Sequence, residues 1–141
     1  HLIPLILQTA LGKRDKVYLF GDDYPTKDGF CIRDYVHILD ITDAHIKAID
    51  RLFCKNESGI YNLGNGVGFS AFEVVECAKK VTGRQIKIEI CKKRAGDPAV
   101  LVASAEKAIR ELNWKSKFCS LEEMLETAWR WHVENPDGYR E

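Results

Sequence analysis

The sequence predicts a mixed α/β fold of short strands with four or five helices, because strand and helix signals alternate along the chain. Residues 17–20 are β-branched and aromatic between turn formers, which is typical of a strand. Residues 85–91 alternate, with isoleucines on one face, which indicates a half-buried strand. Between them, Ser70 and Glu73 form a capping box that starts a helix, and Gly83 ends it. Interleaved elements of this kind build an α/β or α+β domain.

The other elements follow from periodicity and end signals. Residues 2–11 form a short apolar helix that Gly12 ends, and residues 60–63 predict a strand. Asp40 is the expected N-cap of a longer helix. The apolar stripe of that helix contains Ala44, Ile46, Ile49 and Phe53. Two further helices are expected, one from a cap at Ser104 to about Leu112 and one from Ser120 to about Glu134.

Composition excludes several classes of function. The 141 residues suffice for one domain, and 45% hydrophobic with 30% charged residues is ordinary for a globular protein. Because 21 basic residues balance 21 acidic ones, we expect neither nucleic acid nor a membrane surface as partner. Five cysteines without a C-x-x-C pair predict reduced thiols, and we expect a cytoplasmic protein. The chain begins at His1 inside an apolar helix, so we expect a fragment of a longer protein.

The glycine-rich turn at residues 64–68 follows a predicted strand and precedes a helix, as a dinucleotide-binding turn does. Its spacing is G-x-G-x-G instead of G-x-G-x-x-G, and no acidic residue ends a strand about 20 residues later. We therefore interpret it as a structural turn. The chain is not expected to carry its own cofactor-binding fingerprint.

A catalytic centre is also not expected in these residues. Neither Tyr35 nor Tyr61 is followed by a lysine four residues later, which would lower the pKa of the phenol. His37 and His45 are the acid–base candidates. Each lies in an apolar stretch, which favours a hydrogen-bonded structural histidine.

Two arginines in loops are the positive signals for a binding site. Arg33 follows the loop GDDYPTKDG, and Arg94 lies just past a strand. The small residues Ala95 and Gly96 would let a ligand approach the backbone. Two guanidinium groups can bind a diphosphate through paired hydrogen bonds, which lysine does less well. An arginine beside an aspartate more often forms a salt bridge, so chemistry alone does not establish a diphosphate site.

The stretch GDDYPTKDGFCIRDYVHILDITDAH at residues 21–45 resembles the signature of UDP-glucose 4-epimerases, in the extended short-chain dehydrogenase/reductase family. The segments YNLGNGVGFSAFEVVE, KKRAGDPAVLVAS and LEEMLETAWRWHVENPDGY follow in the order of that family, so the resemblance covers essentially the whole chain. The DYPTKDG insert is its most specific part, since related dehydratases and decarboxylases usually have a shorter loop there. The resemblance implies a carboxyl-terminal, substrate-binding lobe over residues 1–141, without the Rossmann lobe.

The resemblance also implies a set of residues that bind the UDP-sugar. His1 and Leu2 match a backbone contact near the sugar, and Tyr18, Leu19 and Phe20 match a strand that meets the uracil. Arg33 and Arg94 match the arginines that hold the diphosphate, with Ala95 and Gly96 beside the second. Asp97 matches the carboxylate that accepts from the ribose hydroxyls. Leu101 and Phe30 depart from the tyrosine and threonine found in other members, which affects the hexose contacts more than the UDP contacts.

The intact protein is thus expected to interconvert UDP-glucose and UDP-galactose with bound NAD, as a homodimer. In the family, NAD takes a hydride from C4 of the hexose while a tyrosine of a Tyr-x-x-x-Lys pair removes the hydroxyl proton. Neither that pair nor the glycine fingerprint occurs in these residues, so no catalytic residue is assigned and this chain alone is expected to be inactive. Two alternatives stay open: a UDP-pentose or UDP-uronate 4-epimerase, and a nucleotide-sugar-binding module without catalysis.

Overall fold

The computed structural model describes residues 1–139 and has five helices and five short strands in these residues, which confirms the mixed α/β class. The helices are α1 (Leu2–Ala10), α2 (Ile38–Lys55), α3 (Ala71–Thr82), α4 (Glu106–Leu112) and α5 (Leu121–Glu134). The strands are β1 (Val17–Phe20), β2 (Ile32–Asp34), β3 (Gly68–Ser70), β4 (Ile88–Cys91) and β5 (Val100–Leu101).

The strands form two small sheets that the loop at residues 92–98 connects. Strand β1 pairs parallel with β4, so that Phe20 lies opposite Cys91. Strand β2 is the centre of the other sheet, antiparallel to β3 and parallel to β5, and Arg33 lies opposite Leu101. Because parallel strands end at the same edge, the loops that follow β1 and β4 leave the first sheet side by side. The second of these loops then enters β5, next to β2.

The main core lies where α1, α3 and α5 pack around β1. Its fully buried side chains include Ile6, Leu7, Val74, Val75 and Leu125. Helix α3 begins as predicted: the Ser70 hydroxyl accepts from the Glu73 amide at 3.0 Å, and the Glu73 carboxylate accepts from the Ser70 amide at 2.8 Å. The helix ends at Gly83, whose φ of +63° is in the left-handed region that favours glycine.

A second cluster packs α2 against α4 around Trp114, which is 1% exposed. The predicted N-cap of α2 is wrong, because His37 is the cap: its Nδ1 accepts from the Leu39 amide at 3.1 Å. Asp40 instead lies in the first turn of α2, buried, and its carboxylate accepts the amides of Lys117 and Phe118 at 3.0 and 3.1 Å. Burial alone would raise the pKa of Asp40, but these hydrogen bonds and that of the Ser116 hydroxyl lower it. No feature of the sequence indicates that the loop at residues 116–118 donates hydrogen bonds to Asp40.

Residues 60–63 were predicted as a strand, and this is wrong for the described structure, where they pair with no other strand. Ile60 is 87% exposed, and in the predicted stripe of α2 Ile46, Ile49 and Phe53 are 56%, 52% and 83% exposed. Only Ala44 of the predicted stripe is buried in this chain.

Among residues 1–139, no helix combines the length and the hydropathy needed to cross a bilayer.

Candidate functional site

Phe20 and Arg94 meet at the common edge of β1 and β4. Phe20 is the last residue of β1, and Arg94 follows its register partner Cys91 by three residues. The guanidinium carbon of Arg94 lies 3.7 Å from the centroid of the Phe20 ring, which is cation–π stacking. Phe20 is half-buried and Arg94 is exposed, so the ring is not sealed in the core. The strand pairing therefore places a positive charge over an accessible aromatic face.

Arg33 reaches the same loop from the other sheet. Its Nη1 donates to the carbonyl of Pro98 at 2.9 Å and to that of Ile32 at 2.8 Å. Its Nη2 lies 3.3 Å from the Asp97 carboxylate. The parallel pairing of β2 with β5 makes these contacts possible, because β5 begins directly after this loop. The structure thus brings Arg33 into contact with the loop that carries Arg94.

Asp97 forms a salt bridge with Arg33. The salt bridge that the sequence left open for Arg33 exists, and its partner is Asp97, 64 residues away, instead of the adjacent Asp34. The two side chains are 23% and 34% exposed. A partly exposed pair of this kind contributes only about 0–1 kcal/mol to stability, so a ligand could replace it at small cost.

The loop between β1 and β2 folds back on itself beside Lys93. The Tyr24 amide donates to the Gly29 carbonyl at 2.9 Å, which closes the loop. The Tyr24 ring is 5% exposed, and the Lys93 ammonium group lies 4.3 Å from its centroid. Burial raises the pKa of Tyr24, and the negative charge of Asp97 adds to this. Sequence reasoning did not identify Tyr24, although an aromatic residue within the polar stretch GDDYPTKDG was a visible signal.

The other residues predicted to contact the ligand differ in how exposed they are. Leu19 is 2% exposed and its side chain lies in the core, so it offers only backbone, as expected of its strand. Tyr18 and Leu101 are 40% and 59% exposed. Leu101 lies in register with Arg33, whereas Leu2 packs against the main core beside the exposed His1. Ala95 and Gly96 lie in the exposed loop after Arg94, where Gly96 has a φ of +81°.

The two candidate acid–base histidines have structural contacts. His37 stacks on Phe118 at 4.1 Å between ring centroids, and its Nε2 is 2.9 Å from the Thr127 hydroxyl. The Nδ1 of His45 is 2.8 Å from the Ile41 carbonyl, one turn earlier in α2. Burial raises the pKa of Tyr35 to about 12, which keeps this phenol protonated at neutral pH. These contacts agree with the structural interpretation.

The glycine turn at residues 64–68 does not offer its amides to a phosphate. The amides of Asn65 and Gly66 donate to the carboxylate of Asp34 at 3.0 and 3.2 Å. A negatively charged acceptor therefore already occupies the position that a pyrophosphate would take in a dinucleotide-binding turn. The described residues do not fit NAD at this turn.

The sequence of this chain is similar to those of known proteins. The family model described as GDP-mannose 4,6 dehydratase matches residues 1–128. The UDP-glucose 4-epimerase of Halalkalibacterium halodurans is 55% identical over 139 residues, which are 99% of this chain and 42% of that protein. This chain thus spans about two-fifths of the length of that relative.

Solved structures are similar over the same extent. A crystal structure of a UDP-glucose 4-epimerase matches with a TM-score of 0.96 and 49% identity, over 100% of this chain and 43% of that one. The UDP-glucose 4-epimerase from Stenotrophomonas maltophila, with bound NAD and formylated UDP-arabinopyranose, matches with a TM-score of 0.90 and 39% identity, over 96% of this chain and 40% of that one. The chain therefore belongs to the family described as GDP-mannose 4,6 dehydratase, in which it is similar to the UDP-glucose 4-epimerases.

Proposed function

We propose that the full-length protein that contains this chain is a UDP-glucose 4-epimerase, and that residues 1–141 supply its UDP-hexose-binding lobe. The observation that carries the proposal is the contact of Arg33 with the loop that carries Arg94: Arg33 donates to the Pro98 carbonyl at 2.9 Å, while Arg94 stacks on Phe20 at 3.7 Å. Two positive charges from separate elements, beside an aromatic ring, match a diphosphate joined to a pyrimidine nucleoside.

In this proposal each group has a distinct part in holding UDP. The guanidinium groups of Arg33 and Arg94 bind the diphosphate, and the ring of Phe20 provides a face for the uracil. Asp97 exchanges its contact with Arg33 for the ribose hydroxyls, which costs little because the pair is partly exposed. Anchoring the UDP provides binding energy remote from the reacting sugar, so that the hexose itself can be held loosely enough to turn over.

NAD is the cofactor in this proposal, and it would accept the hydride from C4 of the hexose and return it. The described glycine turn does not fit NAD, so its site is expected in the part of the protein that this chain does not span. Homodimeric assembly and a cytoplasmic location are further expectations for the full-length protein. Analytical ultracentrifugation would test the first, and fractionation of the source cells would test the second.

A UDP-pentose 4-epimerase is the second candidate. It is favoured by the formylated UDP-arabinopyranose bound in the similar structure from Stenotrophomonas maltophila. The exposed apolar side chain of Leu101, in register with Arg33, also leaves the sugar side of the site without a polar tyrosine.

The experiment is a substrate comparison with the full-length protein and NAD. UDP-galactose, UDP-xylose and UDP-galacturonate are supplied separately, and the epimers are separated by chromatography. We expect the highest kcat/KM with UDP-galactose. A preference for UDP-xylose or UDP-galacturonate would replace the proposal by the pentose or uronate activity, and UDP binding without turnover of any substrate would indicate a binding module.

A further inference from the structure

The carboxylate of Asp34 joins three segments of the chain at the end of β2. Its Oδ1 accepts from the Asn65 amide at 3.0 Å, and its Oδ2 accepts from the amides of Gly66 and Ala103 at 3.2 and 3.3 Å. Within residues 1–139 this carboxylate makes no salt bridge, because the adjacent Arg33 pairs with Asp97 instead. Asp34 therefore uses its charge to hold backbone.

The segments it holds are the two neighbours of β2 in the sheet. Gly66 lies two residues before β3, and Ala103 lies two residues after β5. Strand β5 has only two residues, so its own ladder gives few hydrogen bonds to fix it against β2. The Ala103 contact extends this attachment beyond the end of the strand.

The packing around the carboxylate leaves no room for adjustment. A Cβ atom placed on Gly64 would collide with Oδ2 of Asp34 and would lie 2.8 Å from the Cβ of Ala103. The turn, the carboxylate and the chain after β5 are thus in direct contact. Strand β5, which follows the loop at residues 94–98, ends two residues before Ala103.

We propose that Asp34 is a positioning residue of the nucleotide site: its carboxylate sets the spacing between the strand that carries Arg33 and the strand that leaves the Arg94 loop. This spacing decides whether both guanidinium groups can reach one diphosphate. The inference rests on the proposed function, since it assumes that these arginines bind UDP.

The test is calorimetric titration of UDP into the full-length protein and its Asp34→Asn variant. Asparagine has the same shape, but in either orientation of its amide an NH₂ group replaces one carboxylate oxygen and faces backbone N–H donors, so the contact with Asn65 or the contacts with Gly66 and Ala103 are lost. We expect UDP to bind about five- to tenfold more weakly, because the two guanidinium groups are then less well aligned on one diphosphate.

Asp40→Asn is the matched control. Asp40 is also a carboxylate that accepts two backbone amides, but those of Lys117 and Phe118, outside the arginine loops. Thermal unfolding is measured for both variants in parallel. We expect both to lose stability while the UDP affinity of Asp40→Asn stays within about twofold of wild type.

A double-mutant cycle separates positioning from a general loss of structure. In an Arg33→Ala background, Asp34→Asn is expected to change the UDP affinity by less than about twofold, because the group that it positions is gone. If Asp34→Asn does not fold, Gly64→Ala displaces the same carboxylate from the turn side, and the same weakening is expected.

The outcomes distinguish the two claims. Unchanged UDP affinity in Asp34→Asn or Gly64→Ala, an equal loss in Asp40→Asn, or additive losses in the cycle would overturn the positioning role while leaving the proposed function intact. A wild-type protein that does not bind UDP would overturn the proposed function, and the positioning role with it.

Discussion

Replacing Arg33 and Arg94 by alanine in the full-length protein should weaken UDP binding alike while changing stability unequally. Arg33 donates to two carbonyls, those of Ile32 and Pro98 at 2.8 and 2.9 Å, and pairs with Asp97 at 3.3 Å. Arg94 has the Phe20 ring beneath it at 3.7 Å and is otherwise exposed. The Arg33 side chain therefore stabilises the fold through several contacts, whereas the Arg94 side chain contacts mainly the Phe20 ring.

The magnitudes follow from these contacts. Each alanine variant loses a charge-assisted interaction with the diphosphate of about 1.5–3 kcal/mol, which raises the Kd of UDP about 10- to 150-fold. Without ligand, Arg33→Ala should also lower the free energy of unfolding by about 1–2 kcal/mol, because two hydrogen bonds from a charged donor disappear. Arg94→Ala should lower it by no more than about 1 kcal/mol, the value of a partly exposed cation–π contact.

Calorimetric titration of UDP and urea unfolding of each variant measure the two quantities. Lysine at either position keeps the charge but not the two-pronged geometry, so it should recover only part of the affinity. Arg110→Ala is the control, because Arg110 is 69% exposed and pairs with Glu111 on α4. If the Kd of UDP is unchanged in both Arg33→Ala and Arg94→Ala, the assignment of the site is refuted.

Three further changes probe the stability of the fold. Asp40→Ala should lower the free energy of unfolding by about 2–4 kcal/mol, because two backbone amides lose their acceptor, and urea unfolding checks this. Hydrogen bonds lower the pKa of Asp40, so its contribution to the free energy of unfolding should persist above the ordinary carboxyl pKa of about 3.9. That contribution should disappear as the pH falls below this value. The free energies of unfolding of wild type and Asp40→Asn should therefore converge at low pH. Gly29→Ala should destabilise the loop before β2, since φ is +82° and the new Cβ would collide with the Asp22 carbonyl; equal melting temperatures would contradict this. The isolated chain should aggregate through the exposed apolar face of α2. Replacing Ile49 and Phe53 by serine should raise its solubility, which light scattering measures. A sharp, reversible thermal transition of the unmodified chain would contradict this.

The elements that the sequence predicted well are those whose signals are local. The capping box of Ser70 and Glu73 and the glycine that ends α3 act within a few residues, so their chemistry is readable along the chain. The strand at 17–20 follows from the same kind of short-range pattern, and so does the strand predicted at 85–91, which the structure forms over 88–91. The strand predicted at residues 60–63 failed although its composition is suitable, because a strand also needs a neighbour, and none is present in the described residues.

The sequence by itself determined which helices form, where several of them begin and end, and that Arg33 and Arg94 are the candidates for a diphosphate. Only the tertiary structure decided that Arg33 pairs with Asp97, that Asp40 holds the amides of Lys117 and Phe118, and that Asp34 joins both neighbours of β2. These contacts connect residues 31 to 78 positions apart. No local propensity encodes such a pairing, because it depends on how the two sheets and their loops pack together.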